Sequence, residues 1–349
     1  MPDQVAQSIR WFESLFLDTQ ELEAVSTERL DNNTVKLDID DTEQNYSHVE
    51  VGNRHVCVDT SLGELKYKKV GNIFTWTDDN DVYHVSDKAP DEGQFELLDY
   101  AGEKVFDYFS LGLNTERLPY NFHQKLTAKL NKLFELYGRL LDSSALKKVD
   151  INLRVYQSKM AFEQVKKRHN MSSGDNINGF YSHGNNQAYL LFRNNERTMR
   201  TAAHEATHAI NRAIIGYTPR WLNEGLAEYS EYIQVAGNSA TVYPNKDWTN
   251  KYFISKPLLP LSSLFSASRS QWNSGLRQQL YTTSWAFVYF MMEHPQRKTI
   301  LAKLIKSEQK NLCNIIDRNK VEQKLEVPLN VLQKQFSSWS KSKLRRQSI

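Results

Sequence analysis

Apolar residues recur along this chain with two different periods. Over residues 122–142, Phe122, Leu126, Leu130, Leu133, Phe134 and Leu140 fall on one side of a 3.6-residue repeat, which predicts a long amphipathic helix. Upstream, residues 55–58, 65–67, 73–76 and 82–85 are short alternating runs that read as strands. The polar run Asp78-Asp79-Asn80-Asp81 between the last two suits a hairpin turn. Downstream the pattern predicts a strand over 151–156, a polar helix over 160–168 and an Asn/Gly/Ser-rich loop over 170–178. Strands near 179–181 and 188–192 follow, and from Arg197 onward the chain is expected to be nearly all helical. Residues 1–30 carry a weak amphipathic pattern (Ile9, Phe12, Phe16), followed by a linker rich in Asp, Asn and Thr.

These elements divide the chain into a helix and acidic linker over 1–50, a small β-rich module over 51–110, and a mainly helical domain with a small sheet over 120–345. The fold class is α+β. Length permits this division, and 40% apolar with 24% charged residues is ordinary for a soluble globular protein. Charge is nearly balanced, with 44 Lys and Arg against 41 Asp and Glu. The basic stretch 341–346 reads as a solvated tail, so nucleic acid is not an expected partner. Only Cys57 and Cys313 are present, one in each part, which excludes both a disulfide framework and a cysteine-rich zinc ribbon. No stretch has the length of a transmembrane helix. Residues 1–4 lack the basic and apolar regions of a signal peptide. The expected location is the periplasm or cell envelope if a leader or anchor has been removed, and the cytoplasm otherwise.

Candidate chemistry sits in the helical part. His204-Glu205-Ala206-Thr207-His208 places two histidines four apart, on one face of an alanine-rich helix that Asn194 or Asn195 can cap and Gly216 can end. Two imidazoles so placed can reach one tetrahedral zinc ion. Glu205, about 100° away around the helix, is free to hold and deprotonate a water. Thr218 and Pro219 then mark a second helix start, with Thr218 as N-cap and Pro219 in the first helical position. Glu224 on that helix supplies the third ligand and leaves a fourth position open. Glu228, one turn beyond, is placed to accept the remaining ring N–H of a ligand histidine. Interleaved Trp221, Leu222, Leu226 and Tyr229 indicate that the helix is largely buried.

The H-E-x-x-H helix followed by Trp221-Leu222-Asn223-Glu224-Gly225-Leu226-Ala227-Glu228-Tyr229 resembles the gluzincin metallopeptidases. It is similar to the aminopeptidase N family and closer to bacterial peptidase MA-like proteins, whose shorter spacing between histidine and glutamate it shares. The resemblance covers roughly residues 125–340. It implies a thermolysin-like zinc domain with His204, His208 and Glu224 on Zn2+ and Glu205 as general base. It also implies that Tyr281, in Leu280-Tyr281-Thr282-Thr283-Ser284-Trp285, stabilises the oxyanion. An edge strand before the zinc helix, near 179–181 or 188–191, would hold an extended peptide by main-chain pairing. No match to the motif that recognises a free N-terminus is present, so endopeptidase action is expected over aminopeptidase action.

Phe74-Thr75-Trp76-Thr77-Asp78, His84-Val85-Ser86-Asp87 and Pro90 look like a small β domain of proteobacterial envelope proteins. Asp81 stands where that domain carries a turn glycine, and His84 and Asp87 read as hairpin-stabilising residues. That resemblance implies an envelope association. The expected function is hydrolysis of a peptide or protein substrate by a zinc-activated water. The alternatives are a non-catalytic zinc-binding scaffold or envelope-associated binding protein that retains the peptidase fold, and a zinc hydrolase of a non-peptide envelope amide.

Overall fold

A computed structural model describes residues 50–51, 54–55, 59–70, 73–78, 83–86, 90, 94, 96–98, 103–115, 117–169, 177–249, 256–309 and 318–349. The expected N-terminal helix and its acidic linker, residues 79–82 and 87 of the hairpin region, and residues 170–176 of the polar loop lie outside these. The architecture is α+β.

Strands β1 (Glu50–Val51) and β2 (Arg54–His55) pair with each other. After β3 (Ser61–Glu64) come β4 (Tyr67–Val70), β5 (Ile73–Thr77), β6 (Tyr83–Ser86), β7 (Glu96–Leu98), β8 (Glu103–Phe106) and β9 (Phe109–Thr115). The expected hairpin is present: β5 and β6 are antiparallel, with Trp76 opposite His84, and β7 adds to the other side of β5. Strand β4 pairs with β8.

The main sheet is centred on β10 (Lys147–Tyr156). Its alternating sequence sends Val149, Ile151, Leu153 and Val155 into the core, while Arg154 on the opposite side is exposed. Strands β9 and β12 (Gln187–Leu191) run parallel to β10, β3 runs antiparallel, and β11 (Gly179–Ser182) pairs antiparallel with β12 to form an edge. Because β3 and β9 belong to this sheet, strand pairing crosses the division drawn at residues 110–120.

Helix α1 (Phe122–Leu141) makes the crossover between parallel neighbours β9 and β10, and all six of its predicted core residues are buried. Helix α2 (Lys159–Arg168) covers one face of the sheet, over a small core of Phe162, Val165, Ile177, Phe180, Tyr189 and Leu191. The alternate residues Tyr181, Ala188 and Leu190 face the larger core on the other side. That side holds α3 (Asn195–Ile214) and α4 (Arg220–Glu231).

Beyond them lie the short helices α5 (Leu261–Phe265) and α6 (Arg269–Trp272), then α7 (Arg277–Met292), α8 (Pro295–Gln309), α9 (Arg318–Lys324) and α10 (Leu329–Ser340). Every residue of α7 from Leu280 to Met292 is buried, as expected of a helix that packs on α4, α8 and α10 at once.

The stretch after Arg197 is not purely helical. Strands β13 (Ile233–Ala236) and β14 (Ser239–Val242) form a hairpin, and β15 (Gln347–Ser348) pairs with β14. The turn is Gly237-Asn238, with Gly237 at φ 56°, a backbone conformation that glycine adopts without strain. Among the described residues, no helix is long and apolar enough to cross a membrane.

Candidate metal centre

The site is assembled by α3 and α4, which pack against each other. Helix α3 begins where expected: Asn194 Oδ1 accepts from the Arg197 N–H at 2.9 Å, and Gly216 follows the last turn at φ 96°. Alanines 202, 203, 206 and 209 are all buried, so small side chains let the two helices and the sheet approach closely. Helix α4 starts one residue later than expected. Pro219 is its N-cap, in extended conformation at ψ 138°, with its carbonyl accepting from Leu222 and Asn223 N–H groups.

His204, His208 and Glu224 come together as expected, each no more than 1% exposed. His204 Nε2 and His208 Nε2 lie 3.1 Å apart, and Glu224 Oε2 lies 3.5 Å from the first and 3.6 Å from the second. Donor atoms held about 2.0–2.1 Å from a tetrahedral zinc ion are about 3.3 Å from one another, so the triangle has the right size.

The hydrogen bonds behind the rings give it the right chemistry. Tyr137 donates to Asn211 Oδ1 at 2.5 Å, Asn211 Nδ2 donates to Asn223 Oδ1 at 2.7 Å, and the same Oδ1 lies 3.1 Å from His208 Nδ1. This chain fixes Asn223 Oδ1 as an acceptor, so the proton of a neutral His208 sits on Nδ1 and its Nε2 presents a bare lone pair. His204 Nδ1 lies 2.7 Å from Glu231 Oε1. Burial pushes the Glu231 carboxyl well up, against the pull of Arg200, and in its ionised form it accepts the ring N–H and leaves the Nε2 lone pair toward Glu224. Glu224 Oε2 has no hydrogen-bond partner although it is buried. Two nitrogen lone pairs and an unpartnered carboxylate oxygen converging on one point are a donor set for a cation. The residues present therefore fit zinc.

Glu228 does not take the role expected of it. Its Oε2 accepts from Asn245 Nδ2 at 3.1 Å and from Trp248 Nε1 at 2.9 Å, and the carboxylate facing His204 is Glu231. A second grouping, His204, Glu228 and Glu231, also brings donor atoms within 4.8 Å of one another. There His204 Nδ1 already faces Glu231 Oε1, and Glu228 Oε2 already accepts from Asn245 and Trp248.

Glu205, next to His204 on α3, lies beside Gly179 of strand β11. Both of its carboxylate oxygens are buried without a hydrogen-bond partner. Burial, then the charges of Glu224 and Glu231, hold its pKa well above the usual carboxylate range. A Cβ on Gly179 of edge strand β11 would lie 2.5 Å from Thr201 Cγ2 and 3.0 Å from Glu205 Oε1, so glycine allows that strand's backbone to pass directly beside Glu205.

Tyr281 enters from the other side on α7. Its hydroxyl donates to Glu224 Oε1 at 3.2 Å and accepts from Arg220 Nη2 at 3.0 Å. Arg220 also stacks over the Trp272 ring and sits 3.9 Å from Glu224 Oε1. Burial pushes the Tyr281 phenol well up, against the opposing pull of Arg220.

Sequence reasoning missed Glu231, Asn223, Asn211 and Arg220. Glu231 had a signal, being two turns past Glu224 and on the same helix face. Asn223 lay inside the quoted motif without an assigned role. Asn211 and Arg220 act across tertiary contacts that no local spacing reveals.

No protein-family model matches this chain, and no curated protein matches it.

Proposed function

We propose that the chain is a zinc-dependent peptidase of the gluzincin kind, with His204, His208 and Glu224 as ligands. The observation that carries this reading is the convergence of three buried donor atoms, His204 Nε2, His208 Nε2 and Glu224 Oε2, beside a buried Glu205 carboxylate that has no hydrogen-bond partner. A zinc ion held there would supply Lewis acidity toward water and toward the scissile carbonyl oxygen.

The remaining chemistry belongs to the chain. Glu205 is an effective base because its raised pKa lets it take a proton from the attacking water and then deliver it to the leaving amine. Tyr281, still protonated at neutral pH, donates a hydrogen bond to the oxyanion, and Arg220 holds the phenol in place. Edge strand β11, in contact with the base through Gly179, orients an extended peptide by main-chain pairing.

The test is hydrolysis of an unbiased peptide library, with zinc measured in the same samples. Cleavage by the wild type, and zinc retention without cleavage in Glu205→Gln, are expected. Zinc in both proteins and cleavage by neither would leave a zinc-binding scaffold in place of a peptidase.

A further inference from the structure

A concave surface lies apart from the candidate metal centre and shares none of its residues. It is a cleft of about 1640 Å3 between the end of α7, the first turns of α8 and residues 342–348. That exceeds the roughly 300–1,000 Å3 of small-molecule sites. Its lining is strongly cationic. Arg297 and Lys303 are matched by Glu293 and Glu326. Arg139, Lys298, Lys306, Lys343, Arg345 and Arg346 have no carboxylate partner among the described residues.

Two features show that this concentration of charge is built rather than incidental. First, residues 341–346 are mostly solvent-exposed, as composition suggests, but they are not a loose tail. Strand β15 ties them to β14, Tyr289 donates to the Arg345 carbonyl at 2.8 Å, and the buried Gln347 side chain is held by Tyr229 and Tyr289. The cations of this stretch are thus presented from an ordered backbone. Second, Arg297 and Lys298 occupy the first turn of α8, where a helix favours acidic residues, and no acidic residue is there. Burial first, and the charge of Arg139 second, pull the Lys298 pKa down, as expected where like charges crowd together.

We propose that this cleft binds an extended, acidic polypeptide segment. Charge alone would equally suit any polyanion, but two observations select a peptide. Strand β15 is an edge strand. Because Ile349 N–H bonds to Ala240 O, alternation turns the backbone N–H and C=O of Ser348 away from β14, available to another strand. Apolar Leu140, Met292, Pro295 and Leu344 are interspersed with the cations, and the lining holds no Phe, Tyr or Trp, its one ring being the imidazole of His294, so a run of nucleic-acid bases would find little to stack on. The concave form is also unsuited to a bilayer surface.

The experiment uses the full chain and a fluorescein-labelled peptide alternating Glu with Val, read by anisotropy. Saturable binding is expected, weakening as salt rises. A Gln-for-Glu peptide, and the variant Lys298→Gln/Lys343→Gln/Arg345→Gln/Arg346→Gln, should each lose on the order of tenfold or more in affinity. The four side chains are exposed or half-exposed, so the variant's thermal unfolding should match the wild type. A peptide N-methylated at alternate residues should also bind more weakly, because it cannot pair with Ser348. The proposal is overturned if the wild type binds the Glu and Gln peptides equally, if the fourfold variant binds as the wild type does, or if N-methylation has no effect. Tighter binding of duplex DNA or phosphatidylglycerol vesicles than of the peptide would overturn it as well.

Discussion

Gly225 stands between Glu224 and the helix that carries Tyr281, and adding one methyl group there tests how the site is held together. A Cβ at position 225 would lie 2.6 Å from Val288 Cγ2, 2.7 Å from the Ser284 carbonyl oxygen and 3.1 Å from its carbon. Comfortable separations are about 3.5–4.0 Å between carbons, so α4 and α7 must part by something on the order of 0.5–1 Å. The obstacle is backbone, which no rotamer change removes. Overpacking of this kind costs about 1–3 kcal/mol, and the helix propensity gained on replacing glycine with alanine offsets at most about 1 kcal/mol. A net loss of about 1 kcal/mol is expected for Gly225→Ala, read as a lower urea midpoint at unchanged slope. The same displacement separates Glu224, adjacent in sequence, from Tyr281, one turn before Ser284, and breaks their 3.2 Å hydrogen bond. Zinc affinity should therefore fall together with stability. Gly138, in the last turn of α1, is the control: a Cβ there would meet nothing closer than Leu146 Cδ1 at 3.4 Å. Gly138→Ala should be neutral or stabilising by up to about 1 kcal/mol. A Gly225→Ala protein as stable as the wild type, with unchanged zinc affinity, would refute this account of the helix contact.

Glu231→Gln should weaken zinc binding by about 10–100-fold, because it removes the carboxylate that orients His204, whereas Glu228→Gln should have a smaller effect; competition with a chromogenic chelator measures both. Glu205→Gln should stabilise the metal-free protein at neutral pH. The folded-state pKa of Glu205 lies above its unfolded value, so its destabilising effect is absent below about pH 4 and grows as pH rises toward the folded value. Urea midpoints of the two metal-free proteins should then coincide in acid and diverge toward neutrality. If the peptidase reading holds, Tyr281→Phe should lower kcat about 100-fold with zinc content unchanged, checked by steady-state kinetics on a cleaved library peptide.

Much of this was legible in the chain because it is local. The α1 stripe, the alternation of β10 and the four-residue spacing of His204 and His208 each follow from the geometry of a single element. Glu224 was legible because a second helix start lies between it and His208. The assignment of Glu228 failed for a geometric reason. On α4, Glu228 is about 40° around the helix from Glu224 and Glu231 only about 20°. Both face the histidines, and it is the packing of α4 on α3 that brings Glu231 to His204 and leaves Glu228 to Trp248 and Asn245. The hairpin β13–β14 was obscured by the helices around it, although Gly237-Asn238 marks its turn. The inclusion of β9 in the main sheet depends on a partner about 40 residues away, and that of β3 and the anchoring of residues 341–346 by β15 on partners about 85 to 105 residues away, beyond the reach of a local window of sequence.

The most direct test of the metal centre is the zinc content of protein purified without added metal and then titrated with zinc, compared with His204→Ala, His208→Ala and Glu224→Ala. The wild type should hold about one equivalent per chain, Glu205→Gln should hold the same, and each ligand variant should retain less than about a tenth of it. A wild type that takes up no zinc, or ligand variants that bind it as the wild type does, would contradict the assignment of His204, His208 and Glu224 as a metal site.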